Sequence, residues 1–106
     1  MRESVFKGRV TKRLDQEFPG CVIINNDPRD IQGLPDLLIL FGDRWAMLEV
    51  KASEEASTRP NQPHYVEMFG RMSYSSFIYP QNEDRVFHEL QHAFYNRRSP
   101  RVSQSQ

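Results

Sequence analysis

Three charged residues, Asp36, Glu49 and Lys51, flank two short and mainly apolar runs, residues 37–41 and 45–50. A turn signal separates the runs, and their lengths and composition predict two strands of a hairpin. A hairpin brings its two ends together, so Asp36 is expected beside Glu49 and Lys51. Charges gathered at an apolar sheet end are costly to bury unless they bind something. A divalent cation such as Mg²⁺ fits, because one or two carboxylates commonly hold it.

The first predicted helix spans about residues 3–18 and contains a possible third acid of the site. Its apolar stripe follows helical spacing and consists of Val5, Phe6, Val10, Leu14 and Phe18. Pro19-Gly20 ends the helix, and so tight a connection must send the next strand back antiparallel to it. Asp36 is then expected near the start of the helix. The helix is about 24 Å long at about 1.5 Å per residue, so Glu3 is favoured over Glu17 as a site acid, unless fraying leaves Glu3 solvated.

The remaining pattern predicts a small α/β fold. After a strand at residues 22–24 and a polar loop at 25–30 comes the hairpin, and a proline-broken loop covers 52–63. The later elements are a helix at 63–72, a strand at 76–79 and a helix from 82 to about 96. The order helix, three strands, helix, strand, helix predicts a small mixed sheet flanked by helices.

Composition limits the broad class of protein. With 106 residues and a formal net charge of zero, we expect one domain and only local basic patches for any polyanion. The predicted domain spans residues 1–98, and residues 99–106 are polar enough to be a disordered tail. Cys21 lies in an apolar run and is expected to be a reduced core residue. With neither a membrane-spanning segment nor a signal-peptide pattern, we expect a soluble cytoplasmic protein.

The sequence Gly-Leu-Pro-Asp36, followed by a strand, a turn and Leu-Glu49-Val-Lys51, resembles the PD-(D/E)xK nuclease superfamily. The segment Arg59-Pro-Asn-Gln62 resembles the glutamine-bearing segment of its virus-type replication–repair (VRR-NUC) branch, which is related to archaeal Holliday-junction resolvases. The resemblance covers nearly the whole chain. It implies a restriction-endonuclease-like core and a metal-dependent phosphodiesterase acting on DNA, from a phage or prokaryotic source.

The resemblance also implies roles for individual residues. Asp36 and Glu49 would bind Mg²⁺ or Mn²⁺, one or two ions per site, with the Val50 carbonyl assisting. Lys51 would be the catalytic lysine, and Gln62 would orient Lys51 or the attacking water. Glu3 would match the family's first-helix acid.

DNA contacts are expected from basic side chains near these residues. The candidates are Arg59, Lys7, Arg29 and Lys12. A domain this small has no separate module for reading sequence, so a branched DNA such as a Holliday junction is the expected substrate. Symmetric cutting needs two sites, and members of the resolvase branch are dimeric. We therefore expect a homodimer that uses apolar residues of the second helix, Met68, Phe69 and Met72. No organic cofactor and no membrane partner are expected.

Two other functions remain open. The first is a nicking or restriction-type nuclease that acts on ordinary duplex DNA. The second is a catalytically silent module for nucleic-acid binding or assembly, in which Glu49 and Lys51 form an ordinary ion pair.

Overall fold

A computed structural model describes residues 1–27, 29–56, 58 and 61–96 of the chain. Its elements follow in the order α1 (Glu3–Glu17), β1 (Val22–Asn25), β2 (Leu37–Phe41), β3 (Arg44–Val50), α2 (Gln62–Met72), β4 (Tyr74–Ile78) and α3 (Glu83–Tyr95), with a short 3₁₀ turn at Pro80–Asn82 before α3. The predicted fold class and element order are confirmed. The predicted tail, residues 99–106, lies outside the described residues, as do the last two residues of the predicted domain.

The four strands form one mixed sheet in the order β1-β2-β3-β4. Strands β1, β2 and β3 are successively antiparallel, whereas β3 and β4 are parallel. A parallel pair needs a crossover connection, and α2 provides it. The predicted hairpin is therefore confirmed, with β2 and β3 as its two strands.

The two faces of the sheet are covered by different helices. Ala46, Leu48 and Val50 of β3 alternate into a core that contains buried residues of α1 and α3. On the opposite face, Trp45 contacts Phe69 of α2 edge to face, with ring centroids 6.1 Å apart. The sheet thus separates an apolar core layer from a layer that contains α2, and the odd-numbered residues of β3 lie in the α2 layer.

Helix α1 packs through part of the predicted stripe. Phe6, Val10 and Leu14 are fully buried, and Phe18 is buried just beyond the helix. Val5 is 59% exposed, so its predicted place in the stripe is wrong. Consecutive helical residues lie about 100° apart around the axis, and burying Phe6 turns Val5 toward solvent.

Strand β4 begins at Tyr74, two residues before the predicted start, and ends at Ile78. The two residues missed by the prediction are Tyr74 and Ser75, which have no alternation of apolar and polar residues that would mark a strand start. The backbone pairing of Ala46 with Tyr74 and of Met47 with Ser75 nevertheless extends the strand. Tertiary pairing therefore overrides local preference here.

Cys21 is half-buried and packs against the core rather than lying within it. Burial and the nearby Asp15 raise the pKa of its thiol, which keeps it protonated and unreactive at neutral pH. Within the described ranges, none of the helices is both long and apolar enough to cross a membrane.

Candidate active site

Asp36 and Glu49 are neighbours at the end of the β2–β3 hairpin. The last paired residues of the ladder are Leu37 and Leu48, so one further step places Asp36 opposite Glu49. Two hydrogen bonds close this end: the Asp36 amide donates to Oε1 of Glu49 over 3.0 Å, and the Val50 amide donates to Oδ2 of Asp36 over 3.0 Å. Each carboxylate is thereby tied to the backbone of the opposite strand.

The loop before Asp36 is held by Asn26, which the sequence analysis did not identify. The Asn26 amide donates to the Asp36 carbonyl over 2.8 Å, and its side-chain Nδ2 donates to the Pro35 carbonyl over 2.7 Å. Gly33, two residues before Pro35, has a φ of +91°, which favours glycine. Asn26 therefore attaches the Leu-Pro-Asp turn to the end of β1 and positions Asp36. Its only sequence signal was a polar side chain directly after a strand.

Gln62 connects the acidic and basic members of the site. It is the first residue of α2, after Asn61, whose φ of 73° turns the chain into the helix. Its Nε2 donates to Oε2 of Glu49 over 2.6 Å, and its Oε1 accepts a hydrogen bond from Lys51 Nζ over 2.9 Å. Lys51 Nζ also lies 3.7 Å from Oε2 of Glu49. The three side chains therefore form one contact network.

This network is buried, although its members are charged or polar. Glu49 is 3% exposed, Lys51 is 7% exposed and Gln62 is 3% exposed. The Lys51 amide continues the β3–β4 pairing by donating to the Ile78 carbonyl over 2.9 Å, which fixes the backbone from which its side chain leaves. Buried charges at this density are costly, so their hydrogen bonds to one another hold the arrangement together.

The electrostatics of Glu49 favour a cation nearby. Burial, followed by the charge of Asp36, raises the pKa of Glu49 to about 7, while Lys51 and the hydrogen bond from the Asp36 amide act in the opposite direction. A divalent cation would relieve the repulsion between the two carboxylates. The donor set fits Mg²⁺ or Mn²⁺, because both side chains supply hard oxygen ligands and a carboxylate oxygen that accepts one hydrogen bond keeps a further lone pair.

Glu3 lies on the site side of α1 and Glu17 does not. The charge of Glu3 is among those that raise the pKa of Glu49. Glu17 instead accepts hydrogen bonds from Arg13 and Gln91. Glu3 is solvent-exposed, and in the described part of the chain no three His, Cys, Asp or Glu side chains cluster as a potential metal site. Glu3 therefore does not form a metal-binding cluster with Asp36 and Glu49 in this structure, although the start of α1 lies at the predicted end of the molecule.

The predicted DNA-contacting residues are dispersed. Lys7 is half-buried and lies one helical turn after Glu3. Lys12 is exposed and lies about 13 Å from Glu3 along the helix, at about 1.5 Å per residue. Arg29 is exposed and pairs with Asp27, with Nη2 and Oδ2 2.7 Å apart. Arg59 lies outside the described residues. Among the three described candidates, Lys7 is the nearest in sequence to Glu3, whose charge acts on Glu49.

No protein-family model, curated protein sequence or solved structure matches the chain.

Proposed function

We propose that the protein is a metal-dependent DNA endonuclease that hydrolyses phosphodiester bonds. The observation that supports this best is that three candidate functional residues meet at one sheet end: the Asp36 amide binds Glu49, and Gln62 joins Glu49 to Lys51. An ordinary surface ion pair would need neither a second carboxylate nor a buried amide bridge. Two oxygen donors next to an ammonium match the charge of a cation and a phosphate bound side by side.

Each residue has a distinct part in this proposal. Asp36 and Glu49, together with the Val50 carbonyl, would hold Mg²⁺ or Mn²⁺. When bound, the ion would supply Lewis-acid activation of water and of the scissile phosphate. Lys51 would place positive charge beside the phosphate and stabilise the attacking hydroxide. Gln62 would hold the ammonium of Lys51 in a fixed position relative to Glu49.

A branched DNA, cut by a homodimer, is the substrate that we propose for this site. Of the predicted interface residues, Met72 is 56% exposed, while Met68 and Phe69 are half-buried. A further apolar surface lies on β1 and β2, where Val22 and its ladder partner Leu40 are both exposed. These surfaces supply apolar area for a second copy of the chain. A nicking or restriction-type enzyme acting on ordinary duplex is the alternative within the same chemistry.

One observation favours the catalytically silent module as a second candidate. Both carboxylate oxygens of Glu49 already accept hydrogen bonds from the protein, so the network is closed without a cation. Such a closed network can serve purely to hold α2 against the sheet. A nuclease requires the same oxygens to accept a cation as well.

The decisive experiment incubates the protein with Mg²⁺ or Mn²⁺ and a panel of four-way junction, flap, nicked, linear and supercoiled DNAs. We expect cleavage of branched substrates, and loss of cleavage in Asp36→Asn and Lys51→Ala. The matched control is Arg71→Ala, which changes an exposed cation on α2 that pairs with Glu67. Calorimetric titration with Mg²⁺ separates the nuclease from the silent module. A nuclease should give a heat of Mg²⁺ binding that is lost in Asp36→Asn, whereas a silent module should not.

A further inference from the structure

A cavity of about 230 Å³ lies next to the proposed catalytic lysine. Lys51 forms part of its wall. Further lining comes from Phe77 and Tyr79 at the end of β4, and from three residues of the loop that follows β3: Ser53, Glu54 and Thr58. The volume is below the range of about 300–1,000 Å³ found for drug-sized ligands. The cavity is therefore suited to a small, flat group rather than to a whole nucleotide chain.

The position of the cavity follows from the sheet. Phe77 pairs with Glu49 in the β3–β4 ladder, and Tyr79 follows it two residues later on the same face. Both aromatic side chains are only half-buried, so their surfaces are accessible from the cavity. Glu49, Lys51 and the aromatic pair consequently lie close together on one face of the sheet.

The chemistry of the lining differs from that of a phosphate site. Most of the accessible lining is apolar, and the carboxylate of Glu54 would repel a second phosphate. Aromatic side chains stack on the flat faces of unpaired bases. A carboxylate and two hydroxyls can pair with the amino and ring N–H groups on the edge of a base. A larger cavity, near Arg44 and Trp45, lies at the opposite end of β3 and so is not adjacent to Lys51.

We propose that this cavity binds one unpaired DNA base, the base of a nucleotide adjoining the phosphate at Lys51. The base stacks on Phe77 and Tyr79, while its phosphate lies against the ammonium of Lys51. This inference rests on the proposed nuclease function and specifies its substrate: DNA in which a base next to the cut is free to leave the helix, as at a branch point, flap or bulge. Fully paired duplex supplies such a base only after it is unpaired and unstacked, which is unfavourable.

The test compares two duplexes that differ at a single position. One carries an unpaired 2-aminopurine nucleotide there, and the other carries an abasic nucleotide. Binding is measured by fluorescence anisotropy with Ca²⁺ in place of Mg²⁺, and stacking by quenching of 2-aminopurine fluorescence. We expect the wild type to bind the 2-aminopurine duplex roughly 5- to 100-fold more tightly, the range that stacking of one base supports. Tyr79→Leu should lose most of this preference and of the quenching, and Tyr79→Phe should retain both.

Two further variants guard against a folding defect. Thr58→Trp fills the cavity from an exposed loop position without altering β4, and it should also abolish the preference. Tyr95→Leu removes an exposed aromatic side chain whose hydroxyl binds the Glu17 carbonyl, and it should leave the preference unchanged. Equal binding of the two duplexes by the wild type, or an unchanged preference in both Tyr79→Leu and Thr58→Trp, would overturn the inference while junction cleavage still supported the nuclease. If the protein neither binds nor cleaves any DNA of the panel, both proposals are wrong.

Discussion

Gln62 donates a hydrogen bond to Glu49 over 2.6 Å, from the first residue of α2 to the end of β3. The same amide accepts a hydrogen bond from Lys51. A neutral side chain therefore fixes the separation of an acid and a base that are both buried. Among the uncharged residues, Gln62 is therefore the one whose replacement should disturb the site most.

Gln62→Leu should lower the free energy of unfolding and the rate of cleavage together. The substitution keeps much of the side-chain volume but leaves Glu49 and Lys51 without their shared partner. We expect a stability loss of about 1–3 kcal/mol, the usual cost of an unsatisfied buried polar group. Urea denaturation measures the stability loss and single-turnover cleavage measures the rate. Tyr65→Leu, on the same helix, is the control, and equal behaviour of the two variants would contradict the bridging role.

The stability of the protein should depend on pH through Glu49. Its pKa is raised in the folded state, to about 7 against an ordinary value of 4.5. The folded protein therefore holds this proton more tightly than the unfolded chain does. The contribution to stability is complete below about pH 4.5 and is lost as the pH rises through about 7, with a slope of at most about 1.4 kcal/mol per pH unit.

Glu49→Gln should flatten this dependence when unfolding is followed in EDTA from pH 4.5 to 8. Adding Mg²⁺ to the wild type at pH 8 should raise the melting temperature, because an ion that binds the ionised pair stabilises the folded state. If the free energy of unfolding changes with pH equally in the wild type and in Glu49→Gln, Glu49 is not the titrating group.

Asn26→Ala should impair cleavage through Asp36 without removing any charged group of the site. Its side-chain bond to the Pro35 carbonyl is lost, and the turn that carries Asp36 is released. We expect weaker Mg²⁺ binding by calorimetry and a higher Mg²⁺ concentration for half-maximal cleavage, with the maximal rate largely recovered at saturating Mg²⁺. Asn25→Ala, one residue earlier and exposed, is the control. A reduced maximal rate with unchanged Mg²⁺ dependence would contradict a positioning role.

Arg13→Ala should destabilise the protein without weakening DNA binding. Arg13 forms ion pairs with Glu17, Glu83 and Asp84, with the contacting atoms 2.6–3.0 Å apart. Burial lowers the pKa of its guanidinium, but these partners together raise it above the ordinary value. Its guanidinium carbon also lies 4.2 Å from the ring centre of Phe87. We expect a loss of about 1–2 kcal/mol on thermal or urea unfolding.

Lys12→Ala, one residue earlier and exposed, is the control for this prediction and should leave stability nearly unchanged. Comparing the stability and the DNA affinity of the two variants shows whether each cation stabilises the fold or contacts DNA. A large drop in DNA affinity for Arg13→Ala, at a temperature where the variant is folded, would reassign this residue to the DNA surface.

The hairpin and the position of Asp36 beside Glu49 could be predicted because both follow from local pattern and chain reversal. The burial of Phe6, Val10 and Leu14 likewise follows from helical spacing. The start of β4 could not be predicted, because Tyr74 and Ser75 become strand only through pairing with β3. The position of Asn26 depends on a contact across a loop, which periodicity does not encode. The resemblance assigned Gln62 a role, but its double hydrogen bond depends on where α2 docks.

The opposite faces of the sheet have a practical consequence for engineering the protein. The ion pairs and aromatic contacts that join α1 to α3 lie in the layer with the apolar core, whereas Glu49, Lys51 and Gln62 lie in the layer with α2. Thermostabilising substitutions can therefore be sought in the layer of α1 and α3, because the sheet lies between that layer and these three residues. Heat tolerance and turnover should then be adjustable separately in this small scaffold.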